Sequence, residues 1–296
     1  MIVVTGSSGF IGRQLVEHLR QRAHRVVGID RLAQGGSEQL VADVSEPDAD
    51  ARAALAEADA VVHLAGCPGV RDRSPDVGYR RWRDNVVATE QVLAATPHRT
   101  PVVVASSSSV YGGSRAGRPS AEHDRLRPVG GYARSKHVVE QACAARRARG
   151  GHVTIVRPFT VVGPGQRADM ALARWMAAAA SGRPLEVYGS LERRRDFTDV
   201  RAVVRALALL TELDPTVLNL GAGRSRSLGE LVAAVRARFG DTGLVVTRRP
   251  GGEPDETLAD TTRSGDVLGF SLHTDLHGVI AAQATAARLA PTALVA

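Results

Sequence analysis

Lysine is almost missing from this chain: of its 38 basic side chains only Lys136 is a lysine, and all the others are arginines. Where a positive charge alone suffices, arginine has taken the place. The one retained lysine therefore points to work that a compact ammonium with three rotatable donors can do and a planar guanidinium cannot. Cysteine is nearly as scarce. Cys67 and Cys143 lie far apart without metal-type spacing, which argues against a disulfide framework or a zinc site, and no metal is expected. Aromatic residues make up 4%, so stacking platforms for single-stranded nucleic acid are few. The net charge of +7 and pI near 10.3 come from arginines spread along the chain, with short clusters at Arg146, Arg147, Arg149 and at Arg193, Arg194, Arg195. That pattern reads as a solvated basic surface plus a pocket for a small anionic ligand, and not as a nucleic-acid-binding face. Long apolar runs are also lacking. The Ala-rich stretch Met176 to Ala180 is flanked by Arg174 and Arg183, far short of the roughly 20 apolar residues that span a bilayer. A strand-like run begins at Ile2, leaving no room for a signal peptide, so a cytoplasmic location is the expectation.

What is present is a rhythm. At 296 residues and 44% hydrophobic content the chain can bury a large core. Ile2-Val3-Val4-Thr5 is a β-branched run, followed at once by Gly6-Ser7-Ser8-Gly9-Phe10-Ile11-Gly12, after which Leu15, Val16 and Leu19 fall at helical spacing. Strand, glycine turn and helix in that order suit a pyrophosphate: glycines let the backbone approach, and the helix start offers free N–H groups. A second strand ends at Asp30, about 20 residues beyond Gly12, where an acid accepts hydrogen bonds from an adenosine ribose and repels a 2′-phosphate. NAD is the expected cofactor, with Arg31 beside Asp30 keeping NADP open. A third apolar segment ends at Asp43-Val44, a place for an adenine edge or for a simple loop aspartate.

Ala60 to Leu64 reads as a fourth strand leading into the small residues Ala65-Gly66, past which a cofactor can run. His63 within it is expected to be a packed core histidine. A helix over Asp84 to Ala95 and a fifth strand over Pro101 to Ala105 follow. That strand ends in Ser106-Ser107-Ser108-Ser109-Val110-Tyr111-Gly112, placing hydroxyls where open α/β sheets bind ligands. Tyr132-Ala133-Arg134-Ser135-Lys136 then opens a helix. Four residues apart, the phenol and the ammonium share a helix face, a candidate acid/base pair if the cation moves the phenol toward the working pH. A sixth strand covers Val153 to Val156. Strands alternating with helices at this spacing give a doubly wound parallel sheet of the Rossmann type, and the less regular second half reads as a smaller C-terminal substrate-binding domain interleaved with it. The expected division is 1–160 for the NAD-binding domain, with 196–221 returning to it, and 161–195 plus 222–296 for the cap.

The segments TGSSGFIG (Thr5 to Gly12), HLAG (His63 to Gly66), SSSSVYG (Ser106 to Gly112), YARSK (Tyr132 to Lys136), RPFTVVGPGQR (Arg157 to Arg167), RRDFTDV (Arg194 to Val200) and LADTTR (Leu258 to Arg263) stand in the order of the extended short-chain dehydrogenase/reductase superfamily. Over nearly its whole length the chain resembles the NAD-dependent nucleotide-sugar epimerase/dehydratase family. The resemblance implies that Gly6, Ser8, Gly9, Phe10, Ile11, Gly12, Asp30, Arg31, Asp43, Val44, Leu64, Ala65 and Gly66 line the NAD site. It also implies that Tyr132 is the acid/base, that Lys136 binds the nicotinamide ribose and lowers the Tyr132 pKa, and that Ser107 shares the proton of the substrate hydroxyl. Arg195 matches an arginine that grips the substrate diphosphate, and the loop around Arg249 and Glu253 resembles one that closes over the nucleotide. Thr160 stands where the family favours Asn, and Gly130-Gly131 where it favours Ser-Pro.

Dehydratases of the family carry Asp-Glu immediately before Val-Tyr-Gly, and decarboxylating members keep a Glu there. Ser108-Ser109 supply no carboxylate, so the resemblance implies hydride chemistry without elimination: a UDP-sugar 4-epimerase, or an NAD(P)H-dependent 4-ketoreductase of a nucleotide deoxysugar. A non-catalytic dinucleotide-binding regulator is the reading from another class, and a pure sensor would need none of Tyr132, Lys136 and Ser107. The stretch Gly163 to Ala171 is similar to that of UDP-glucuronate 4-epimerases, where the arginine matched by Arg167 lies near the sugar carboxylate. UDP-glucuronate or UDP-glucose is the expected substrate. The family's four-helix contact implies a homodimer through the helices near Asn85 to Ala95 and Lys136 to Arg149.

Overall fold

A computed structural model describes residues 1–33, 38–69, 74–115, 117–248, 251 and 253–289. The first half runs β1 (Ile2–Thr5), α1 (Phe10–Gln21), β2 (Val26–Asp30), β3 (Gln39–Val41), α2 (Ala49–Ala56), β4 (Ala60–His63) and α3 (Val77–Arg81). The last of these continues through a π-helical turn, Trp82–Val87, into α4 (Ala88–Ala95). Then come β5 (Val102–Ala105), a 3-10 turn (Ser108–Tyr111), α5 (Gly130–Ala148) and β6 (Val153–Pro158). The second half contains β7 (Thr160–Val162), α6 (Ala171–Ala180), β8 (Leu185–Tyr188), β9 (Arg194–Asp199), α7 (Val200–Leu209) and β10 (Val217–Leu220). It closes with β11 (Ser225–Ser227), α8 (Leu228–Phe239), β12 (Leu244–Thr247), α9 (Thr262–Leu268) and α10 (Leu276–Ala286).

Seven strands form one parallel sheet in the order β10-β6-β5-β4-β1-β2-β3. Strands buried on both faces explain the continuous β-branched runs of the sequence. Alternate residues separate the two cores. Val4, Val62, Val103 and Val156 face α1 and α7 with Leu15, Leu19, Val203 and Leu207. Val3, Val61, Val102 and Val104 face α2, α4 and α5 with Leu55, Val92 and Val139. Sequence order reverses between β1 and β4, and the carboxyl ends at that reversal are where a doubly wound sheet binds its ligand.

The second half builds its own core from Leu172, Trp175 and Met176 of α6, Leu231 and Val235 of α8, Val279 and Ile280 of α10, and Leu185 and Val187 of β8. Smaller sheets β11-β9-β7 and β12-β8 belong to this half. The chain nonetheless returns to the large sheet, where β10 adds beside β6 with Leu218 opposite Val156. No helix of the described residues is long and apolar enough to cross a membrane.

Candidate active site

The turn after β1 needs its glycines. Gly6 adopts φ +70, and a Cβ there would lie 2.6 Å from the Ala65 nitrogen. A Cβ at Gly12 would come 2.0 Å from the Gly6 carbonyl oxygen, so any side chain would push α1 off the turn. The Gly9 N–H closes the loop on the Gly6 carbonyl at 3.0 Å, and α1 starts with no side-chain cap. The N–H groups at Phe10 and Ile11 are thus left for an anion at the helix start, the form a pyrophosphate completes. At the end of β2 the Asp30 carboxylate accepts the Ser8 N–H at 2.9 Å and the Leu32 N–H at 3.0 Å. Arg31 pairs with Asp84 at 2.9 Å and lies 3.6 Å from Asp43. Asp43 itself accepts the Ser45 N–H and hydroxyl, and Val44 is buried. The glycine cradle, a fixed carboxylate at the strand end and a narrow passage at Leu64-Ala65-Gly66 fit an NAD molecule.

His63 is a core histidine. Thr5 Oγ1 lies 2.7 Å from its Nδ1 and Thr89 Oγ1 3.1 Å from its Nε2, and burial drives its pKa down to about 3, leaving it neutral. Asn85 stands near the start of the helix expected over Asp84 to Ala95. Fully buried on the π-helical turn, it accepts the Cys67 N–H at 2.9 Å and donates to Ser135 Oγ at 2.9 Å, while Ser135 Oγ donates to the Tyr132 carbonyl at 2.8 Å. This ties the first turn of α5 to the strand end after β4.

Tyr132 and Lys136 lie on that first part of α5. The Tyr132 phenol lies close enough to Ser107 for that hydroxyl to lower its pKa, and Ser107 caps the 3-10 turn by accepting the Ser109 N–H at 3.1 Å. Lys136 Nζ donates to the Ala105 carbonyl at 2.8 Å, and a Cβ on Gly66 would lie 3.5 Å from it. Burial raises the phenol pKa above its ordinary value; the Ser107 hydrogen bond and the charges of Arg167 and Arg81 oppose that rise without cancelling it. Lys136 is turned to the Ala105 carbonyl, and burial brings its own pKa down to about 8.

Ser108 lies on the same turn as Ser107, and the Ser109 hydroxyl is buried with no hydrogen-bond partner among the described residues. Arg167 holds Asp169 through two hydrogen bonds of 2.9 Å, close enough to Tyr132 for its charge to act on the phenol. Thr160 opens β7, opposite Phe197 of β9. Arg195 and Glu253 form a second cluster. Glu253, 8% exposed, accepts from Arg193 at 2.6 Å and from Arg195 at 3.4 Å, and Arg195 also donates to the Pro254 carbonyl at 2.9 Å. A Cβ at Gly113 would lie 2.5 Å from Pro254, which packs this cluster against the turn that follows Tyr111. Arg249 lies outside the described residues.

Two further groups were overlooked in the sequence. Glu140, one helical turn beyond Lys136, accepts Ser106 Oγ at 2.6 Å and is clasped by Arg157 Nε at 2.9 Å and Nη2 at 2.7 Å. Arg157 Nη1 donates to the Tyr111 hydroxyl at 2.8 Å, and that hydroxyl donates to Asn219 of β10 at 2.7 Å. The clasp binds α5, the serine strand end, β6 and β10 into one block. The spacing of Lys136 and Glu140, four residues apart, was the available signal for it. Among the described residues no group of His, Cys, Asp and Glu side chains could hold a metal ion.

Comparison with known proteins agrees with this geometry. A protein 30% identical over 93% of this chain and 94% of its own length is the uncharacterized UDP-glucose epimerase YtcB of Bacillus subtilis (strain 168). The probable UDP-glucuronate 4-epimerase of Rhizobium meliloti (strain 1021) is 31% identical over 73% of this chain and 70% of its own. Among solved structures, MoeE5 in complex with UDP-glucuronic acid and NAD superposes with a TM-score of 0.90 at 35% identity, covering 97% of this chain and 98% of that one. The model of the NAD dependent epimerase/dehydratase family matches residues 2–221. From the glycine cradle through the serine strand end to β10, this chain belongs to the NAD-dependent epimerase/dehydratase family.

Proposed function

We propose that the protein is an NAD-dependent 4-epimerase of a UDP-sugar, with UDP-glucuronate or UDP-glucose as substrate. The observation that carries this reading is the meeting of the Tyr132 phenol and Ser107 at the carboxyl end of β5, beside two residues, Ser108 and Ser109, that offer no carboxylate for elimination or decarboxylation. Tyr132 Oη takes the proton of the sugar 4-OH and later returns it, and Ser107 Oγ holds that same hydroxyl in line. Gly6, Gly9, Gly12 and Asp30 would hold NAD, which would supply hydride transfer from and back to C4 of the sugar. Lys136 Nζ, beside Gly66, exchanges the Ala105 carbonyl for the nicotinamide ribose and brings a positive charge closer to the phenol.

Arg167 suits a hexuronate. Its two donors already grip one carboxylate, that of Asp169, in the geometry that a sugar carboxylate would take over. The unpartnered Ser109 hydroxyl is a further donor for it. Arg195 serves the diphosphate, with Ser108 and Thr160 on the sugar and Glu253 over the nucleotide. The seven-stranded sheet carries NAD and the smaller sheets with their helices carry the sugar nucleotide, the division being 1–160 with 196–221 against 161–195 with 222–296. Helices α4 and α5 form the homodimer contact. The relatives named for UDP-glucose and UDP-glucuronate epimerisation support this choice of substrates.

The test is direct: purified protein is incubated separately with UDP-glucuronate, UDP-glucose and UDP-N-acetylglucosamine, without added cofactor and then with NAD, and the epimers are resolved chromatographically. Conversion of UDP-glucuronate or UDP-glucose to its C4 epimer is the expected result. Turnover only of 4-keto sugars with steady consumption of NAD(P)H would replace the epimerase with a ketoreductase.

A further inference from the structure

Two residues with opposite preferences stand side by side at the end of β2. An aspartate there takes the ribose hydroxyls of NAD, whereas an arginine there is the residue type that accommodates the 2′-phosphate of NADP. Both are present, as Asp30 and Arg31. The fold treats them differently. The Asp30 carboxylate is fixed on the dinucleotide turn by the Ser8 and Leu32 N–H groups. The Arg31 side chain is drawn away into an ion cluster: its Nη2 lies 2.9 Å from Asp84 Oδ2 and its Nε 3.6 Å from Asp43 Oδ2.

Asp84 is well placed as the anchor. It sits on the π-helical turn, is 7% exposed, and takes Arg83 Nε on its other oxygen at 2.7 Å. Insertions of this kind re-aim side chains and gather at functional positions; here the turn buries Asp84 and Asn85 in succession. Asp43 is fixed as well. Burial opposes its ionisation, but the Ser45 hydrogen bonds and the charges of Arg31 and Arg83 hold its carboxyl below the usual range. Two arginines and two aspartates therefore balance within one cluster. Handing Arg31 to a phosphate would leave the nearly buried Asp84 with half its compensation, which is costly.

We propose that Asp84, on the π-helical turn, is a cofactor-selecting residue: it holds Arg31 against itself and Asp43, so that the guanidinium next to the adenosine ribose does not serve a 2′-phosphate and Asp30 alone reads the sugar. The proposal rests on the assignment of this cradle to NAD, but not on the epimerase reaction. Its consequence is that two substitutions, one of them more than 50 residues from β2, govern cofactor choice together.

The experiment measures the affinities of cofactor-free protein for 5′-AMP and 2′,5′-ADP by calorimetry, and takes their ratio as the reading of the 2′-phosphate. NAD and NADP are titrated in parallel. With Asp30→Ser alone the repelling carboxylate is gone but Arg31 is still held, so the ratio is expected to move toward 2′,5′-ADP only a few-fold. Adding Asp84→Asn should move it by at least about tenfold more, as a new charge-assisted guanidinium–phosphate contact implies. Adding Arg31→Ala should abolish that gain. In a second series Asp43→Asn, at a more exposed position that leaves the π-helical turn intact, should give a smaller gain in the same direction and likewise lose it with Arg31→Ala. A ratio unmoved by both Asp84→Asn and Asp43→Asn would overturn the proposal, as would a gain that survives Arg31→Ala. Failure of the wild-type chain to bind 5′-AMP or NAD at all would remove the cradle assignment, and this inference with it.

Discussion

Replacing Lys136 by methionine is expected to make the cofactor-free protein more stable and nearly inactive. Lys136 is 7% exposed, donates through Nζ to the Ala105 carbonyl, and has its pKa brought by burial from the ordinary 10.5 to about 8. That drop corresponds to a penalty of about 3 kcal/mol on the charged form within the fold. Methionine keeps the stem, carries no charge, and loses a hydrogen bond worth about 1 kcal/mol net, so the variant should gain about 2 kcal/mol near pH 7. The pH dependence follows from the two pKa values. Below about 8 the lysine is charged in folded and unfolded chains alike, and the whole penalty is present. Between 8 and 10.5 the unfolded chain binds more protons than the folded one, so wild-type stability rises with pH and the penalty fades. Urea unfolding of both proteins without NAD, from about pH 7 to about pH 10, should therefore show an advantage of the variant that narrows as pH rises. A variant less stable than wild type near neutrality, or an advantage that stays constant across that range, would refute the reasoning. Loss of turnover in the same variant completes the trade: a charge kept at a cost to the fold for the sake of the site.

Tyr132→Phe is expected to retain NAD binding, measured calorimetrically, while turnover falls by about 10²–10⁴-fold, the usual contribution of a positioned acid/base. In Ser107→Ala the hydrogen bond that lowers the phenol pKa is gone, so the limb of the kcat/KM profile that rises with pH should shift to higher pH. Glu140→Ala breaks a pair whose partners are 8% and 5% exposed and should cost about 3–5 kcal/mol in urea unfolding, whereas the joint change Glu140→Leu with Arg157→Met should recover much of it.

Most of the sheet was legible because its strands are short β-branched runs bounded by glycine, serine and aspartate, and because the glycine turn has a steric requirement that no other residue meets. Six of the seven strands of the large sheet stood out in this way. The pairing of β9 with β7 and β11 did not, since RRDFTDV, Arg194 to Val200, stands in the sequence as a motif that does not say which sheet takes it. The helix expected from Asp84 begins earlier, at Val77, and passes through a π-helical turn that no residue pattern marks. The site was legible as a set of residue types and less so as a set of contacts. Tyr132, Ser107 and Arg167 come together, but the direction of Lys136 and the net rise in the Tyr132 pKa depend on how deeply α5 is buried, which only packing decides. Ion pairs such as Arg31 with Asp84 depend on the register of distant segments, and periodicity carries no record of them.

The position of β10 has a consequence for how the protein is made. The strand that flanks β6 arrives only at Val217–Leu220, after the whole excursion through β7, α6, β8, β9 and α7. At a synthesis rate of roughly 5–20 residues per second, the edge of β6 waits roughly 3–12 s on the ribosome with its hydrogen-bonding groups unmet and the Tyr111 hydroxyl without its Asn219 acceptor. A nascent chain halted near residue 160 is thus expected to engage chaperones and aggregate when released, and one halted past 221 and its exit tunnel length is expected to do so far less.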